Sequence, residues 1–233
     1  MTQPIVAWFD ATDTEITGVY NFQTIDAGTA SPNHTFTIWN NRSGNTDLSK
    51  MEDVTITTVD MNGGDGDTVG QIVQAVKDKW FWVKVDSLNE VNFTQIGGST
   101  AKKALGTTGT TKNPKEGTAT SWTASHSYLV GDVVKPTTAN GYIYECTQAG
   151  TSGATQPTWL TTEGANIADG TVQWVAIPIN KQPQTQEILG VANDGTEANS
   201  GANFVKVTMY ADVPLSASAG RNDFKLRVSY RYV

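Results

Sequence analysis

Apolar and polar residues alternate with a period of two along most of this chain, the rhythm of half-buried β-strands. Ile5 to Phe9 and Val19 to Thr24 carry it first, and His34-Thr35-Phe36-Thr37-Ile38-Trp39 puts Phe36 and Ile38 on one face against Thr35, Thr37 and Trp39 on the other. It returns in Val54 to Val59, Trp80 to Val85 and Val91 to Ile96. Near the end, Phe204, Lys206, Thr208 and Tyr210 oppose Val205, Val207 and Met209, and Phe224 to Tyr232 repeats the pattern. Turn formers separate these runs: Asn40-Asn41-Arg42-Ser43-Gly44, the acidic stretch from Asp60 to Asp67, and Pro214 followed by Ser216 to Gly220. One segment, Val69 to Lys79, spaces Ile72, Val73 and Val76 as a helical stripe that Trp80 extends. The pattern predicts an all-β protein with one short helix.

Two stretches interrupt the strands. From Gly97 to Thr120 the chain is rich in Gly, Thr and Lys and reads as an exposed connector; a second loop system, with prolines at 178 and 183, precedes Phe204. Between them aromatics cluster: Trp122, Tyr128, Tyr144 and Trp159 surround the short strand Val130 to Lys135 and the turn Ala139-Asn140-Gly141. A lone terminal hairpin is marginal in water, so the last two strands must join the sheets of the first segment. The predicted organisation is a discontinuous β-sandwich, residues 1–117 and 179–233, with residues 118–178 inserted as a small β module.

Composition narrows the function classes. The 233 residues are 38% apolar and 17% charged with 22 glycines, which suits many short strands, and the formal charge of −7 opposes binding to nucleic-acid phosphates or anionic lipid. A single cysteine, Cys146, excludes an intrachain disulfide and reads as a small buried hydrophobe on a strand. The start of the chain lacks a basic n-region with an apolar run, and no segment approaches about 18 continuous apolar residues, so synthesis in the cytoplasm without a signal peptide and no membrane insertion are expected.

Candidate chemistry is sparse. The only histidines are His34 and His126, and no nucleophile elbow, phosphate loop, zinc-binding histidine pair or dinucleotide fingerprint occurs. No pair among the acidic residues stands out for glycoside hydrolysis. A noncatalytic protein without cofactor or metal is expected. The loop Asp60 to Asp67 has calcium-loop composition, but counting from Asp60 the sixth and twelfth positions are Asp65 and Gln71 where an EF-hand needs Gly and Glu, so it reads as an acidic turn. The aromatic module is the remaining candidate site. Trp122, Tyr142 and Trp159 are read as exposed faces for stacking on sugar rings, Tyr128 and Tyr144 as core.

The order Trp122, Tyr128, Gly131-Asp132-Val133-Val134, Asn140-Gly141 and Tyr142-x-Tyr144 resembles the chitin-binding modules of bacterial chitinases, which also decorate phage virion proteins. The segment Gly164 to Ala176 looks like the closing hairpin that follows this motif in phage structural proteins. Where the sugar-binding family carries a tandem aromatic pair, this chain has Glu145-Cys146-Thr147-Gln148. The flanks, Thr35 to Asn41, Val191 to Thr196, Val213-Pro214 through Gly220 and Phe224-x-Leu226-Arg227-Val228-x-Tyr230, resemble tailed-phage structural proteins with an immunoglobulin-like sandwich. These resemblances imply a virion surface component present in multiple copies. The sequence shows neither the long repetitive shaft nor the coiled-coil heptads of a tail fibre, so an accessory part is expected, a head decoration in preference to a neck component or a baseplate attachment. Its partners would be other virion proteins and a cell-surface polysaccharide. The alternatives are a tail or baseplate host-attachment protein and a free glycan-binding protein.

Overall fold

The structure, a computed structural model, describes residues 2–232. Contacts divide the chain into two compact units, Met1–Thr110 with Gln182–Val233, and Thr111–Lys181. Nearly all regular structure is β, most of it in antiparallel sheets.

In the larger unit, five strands form one sheet: β1 (Val6–Asp10), β2 (His34–Asn40), β4 (Phe81–Val85), β5 (Thr94–Ile96) and β16 (Phe204–Ala211), in the order β1-β2-β16-β4-β5. A second sheet holds β3 (Met51–Val59), β6 (Lys103–Ala104) and β17 (Lys225–Tyr232), in the order β17-β3-β6. Phe36, Ile38, Val83, Val85, Val205, Val207 and Met209 of the first sheet share one core with Met51, Val54 and Ile56 of the second, and Leu226, Val228 and Tyr230 pack against it. This is a β-sandwich, and the alternation in the sequence places its inward faces because successive side chains of a strand point to opposite sides.

Three sequence expectations need correction here. Val19 to Thr24 forms no strand: Tyr20 and Phe22 pack on the core and Val19 is 93% exposed, so the alternation is obeyed, but Gln23 at φ 70° breaks the extended backbone that pairing requires. The helix predicted over Val69 to Lys79 is reduced to one turn, α1 (Gln74–Lys77), because Gly70 sits at φ 83° and Val73 is extended; Val69 and Ile72 are exposed while Val76 and Trp80 are buried. The connector expected to be exposed is buried in part, and so is the second loop system. Leu105, Thr107, Thr111, Ile188 and Leu189 are buried, and Ile188 exchanges backbone hydrogen bonds with Met51.

Buried asparagines complete the larger unit where strand pairing stops. Asn40 donates to the Ser49 carbonyl, Asn41 to the carbonyls of Thr46 and Gly190, Asn193 to those of Asn41 and Val191, and Asn203 to those of Asn40 and Val191. Each side-chain amide does the work of a missing strand by pairing main-chain groups that burial would otherwise orphan.

The smaller unit is built from β8 (Thr120–Ser121), β10 (Val133–Lys135), β11 (Tyr142–Gln148), β13 (Asn166–Asp169) and β14 (Val172–Pro178), ordered β13-β14-β11-β10-β8, with only the β8–β10 pair parallel. Two short ladders join β9 (Ser127–Tyr128) to β12 (Gly150–Thr151) and β7 (Thr111–Lys112) to β15 (Asn180–Lys181). In the second ladder Lys181 opposes Thr111, so the two ends of the unit lie side by side. That pairing is why the division falls at 110/111 and 181/182, outside the positions 117/118 and 178/179 expected from composition. The 3-10 turn Pro114–Thr118 is fastened to the sheet by Lys115 on Glu145 at 2.6 Å and by Lys135 on Glu116 at 2.5 Å.

An aromatic candidate site in the smaller unit

Asp169 organises the interior of this unit. It is 3% exposed, and its Oδ2 accepts the indole N–H of Trp122 at 2.7 Å and of Trp174 at 3.1 Å, while Oδ1 accepts the Gly153 amide at 2.8 Å. A buried carboxylate needs such donors, and indole N–H groups supply them without bringing a countercharge. The expectation of an exposed Trp122 is therefore corrected: at 8% exposure its ring belongs to the core. Tyr128 meets Trp174 edge-on at 4.8 Å and its hydroxyl accepts the Thr123 amide at 2.8 Å, so it too is core.

Tyr142 and Trp159 lie elsewhere, in one contiguous site around Tyr144. Tyr142 and Tyr144 point to the same face of β11, two residues apart, and Asn140 serves both: its Oδ1 accepts the Tyr142 amide at 3.1 Å and its Nδ2 donates to the Tyr144 hydroxyl at 2.7 Å. That hydroxyl donates in turn to the Leu160 carbonyl at 3.1 Å, and burial pushes the phenol up. Trp159 covers the Tyr144 ring, centroids 4.2 Å apart and planes 35° apart, and is itself half-buried. Its indole N–H donates to Gln156 Oε1 at 2.7 Å, and Gln156 Nε2 donates to Thr137 Oγ1 at 2.7 Å.

The arrangement is a fixed aromatic step, Trp159 on a fully buried Tyr144 with half-buried Tyr142 beside it, edged by the amides of Asn140 and Gln156 and the hydroxyl of Thr137. Rings held this way present apolar faces with hydrogen-bonding groups at their rim, the combination that the C–H faces and hydroxyls of a pyranose require. Asn140 was visible in the sequence only as a turn residue. Gln156 and Thr137 carried no signal beyond the three-residue spacing between Gln156 and Trp159.

The strand where chitin-binding modules carry their tandem aromatics is otherwise engaged. Glu145 takes Lys115, the Thr147 hydroxyl donates to the Gln173 carbonyl at 3.2 Å, and Cys146 is buried, its Sγ donating to the Gln148 carbonyl at 3.2 Å, with burial raising the thiol.

In the larger unit, the Asp60 carboxylate accepts the backbone amides of Asn62, Gly64 and Gly66, which hold it below the usual carboxylate range, and Asp65 takes the amide and hydroxyl of Ser99. The acidic loop is thus cross-tied by its own backbone. Among the described residues no cluster of three or more His, Cys, Asp or Glu side chains is arranged to hold a metal ion. Compared with protein-family models, with curated proteins and with solved structures, the chain finds no match in any of the three.

Proposed function

We propose that the protein is a noncatalytic structural component of a tailed-phage virion, an accessory or decoration protein whose larger unit docks on the particle and whose smaller unit presents a glycan-binding aromatic step. The observation that carries this reading is the pairing of Lys181 with Thr111. A unit whose ends are hydrogen-bonded together can be displayed from a loop of a host sandwich without disturbing it. The flanking motifs resemble virion proteins with an immunoglobulin-like sandwich, and the module resembles chitinase-type binding domains. Tyr142 and Trp159 are the proposed sugar-stacking residues. Trp122 supports them only through the core.

Without a tandem aromatic pair each module binds weakly. Repetition on a particle compensates, since avidity gains of about 10² to 10⁴ follow when several copies engage one surface. The test is sedimentation of the purified protein with insoluble chitin and with host cell walls. Binding that falls at least about tenfold for Trp159→Ala, with unchanged unfolding, supports the reading. Wild-type protein that stays in the supernatant with both materials removes the glycan role, and its absence from gradient-purified particles removes the virion role.

A further inference from the structure

The larger unit carries a second aromatic surface, on the side of its first sheet that faces away from the core. The register fixes which side chains share it. Gln95 of β5, Trp82 of β4 and Tyr210 of β16 form one row across three strands, and Lys84, Thr208 and Thr35 form the next. The Trp82 and Tyr210 rings are parallel to within 6° with centroids 6.5 Å apart, both half-buried. Phe93 stands edge-on against Tyr210 at 4.9 Å and forms a wall, and the Lys84 ammonium lies 5.7 Å from its ring centroid.

Three features distinguish this row from ordinary strand-packing aromatics. Trp82 and Tyr210 contribute nothing to the sandwich core, which the opposite faces of β4 and β16 fill. Among the described residues, neither the Trp82 indole N–H nor the Tyr210 hydroxyl has a hydrogen-bond partner. Burial pushes the Tyr210 phenol up from a value at which the hydroxyl already carries its proton near neutral pH. Finally, both lysines of this face are already paired, and the Asp212 carboxylate lies close enough to Tyr210 to raise its phenol further. Lys84 pairs with Asp86 at 3.0 Å, and Lys206 with Glu197 at 2.6 Å. A rim with its lysines paired and a carboxylate close by gives no attraction to a polyanion, whereas parallel rings beside free donors suit an uncharged polyhydroxylated chain.

We propose that Trp82 and Tyr210, with Gln95 and Lys84 at their rim, form a binding surface for a neutral, unbranched glycan, separate from the aromatic step around Trp159. Adjacent sugar rings would stack on the two aromatic faces, with their hydroxyls taking the indole and phenol donors. The surface does not depend on the smaller unit's being a glycan binder.

The test titrates the full chain with chitohexaose, cellohexaose and laminarihexaose by calorimetry, with saturation-transfer NMR as a second readout. The proteins are wild type, Trp159→Ala, Trp82→Ala, Tyr210→Ala and Trp82→Phe. The proposal expects saturable binding of at least one hexasaccharide that survives Trp159→Ala, weakens at least about tenfold in Trp82→Ala and in Tyr210→Ala, and is largely kept by Trp82→Phe at an unchanged thermal midpoint. Binding lost in Trp159→Ala but untouched in Trp82→Ala overturns this proposal and leaves the module's role standing. No binding of any of the three by wild type overturns it outright.

Discussion

At the scale of single residues, a few buried polar groups each hold several partners at once. Removing the Asp169 carboxylate strands two indole N–H groups and one backbone amide in the interior of the smaller unit. An unsatisfied buried donor costs about 1–3 kcal/mol. Asp169→Ala is therefore expected to destabilise that unit by about 3 kcal/mol or more, visible as an early urea transition in tryptophan fluorescence. An unshifted transition would show that the bracket is incidental. In the larger unit, Asn203→Ala removes the side-chain donor to the Asn40 carbonyl and one of the donors to the Val191 carbonyl, which Asn193 still serves, and a loss of about 1–2 kcal/mol is expected by the same readout.

Two carboxyls add a pH dependence. Lys112 and Lys135 hold Glu116 at about 2 against an ordinary 4.5, and Asn199 with Thr196 holds Asp194 at about 2 against 3.8. Both are depressed on folding, so their stabilisation is complete above the ordinary values and is lost as pH falls from there toward 2. Unfolding midpoints should fall through that window. Glu116→Gln should flatten the fall for the smaller unit alone, and an unchanged slope would assign the acid sensitivity to other groups.

At the scale of elements, the sequence was most legible where one strand face meets the core. The inward faces from His34 to Trp39 and from Phe204 to Tyr210 are realised, Phe36, Ile38, Val205, Val207 and Met209 entering the core because a one-residue slip would turn that apolar set outward, while on the opposite face Trp39 and Phe204 are buried in a second cluster with Phe9. It was least legible where a single backbone dihedral decides. The strand pattern of Val19 to Thr24 fails at Gln23, and the helical stripe of Val69 to Lys79 fails at Gly70. Aromatics were hard to assign for a different reason. Trp122 and Trp159 look alike in sequence, and only the distant Asp169 claims the first for the core. The outward row of Trp82 and Tyr210 was hidden because cross-strand register cannot be read from one strand. Cys146 offers a test of the β11 assignment. Buried at 1% exposure, it should resist a thiol reagent in the native protein and react at the rate at which the smaller unit unfolds, whereas rapid native labelling would contradict the burial of that strand face.

At the scale of the whole molecule, the two units are expected to be separable. Replacing residues 111–181 with a short Gly-Ser linker should leave the larger unit folded with a cooperative melt, since its core cluster contains no residue of the excised segment and the excised ends are themselves paired. A shortened protein that fails to melt cooperatively would mean that the sandwich depends on the insertion. Docking by one unit and sugar contact by the other is the central claim, and it concerns particles more than isolated protein. The most direct measurement is immunogold labelling of intact particles released from the source cells, with antibody against residues 111–181. The account predicts label at regular positions on the particle surface, with label on the head supporting decoration. Bare particles alongside free protein in the culture fluid would contradict it and leave a glycan-binding protein that acts without a virion.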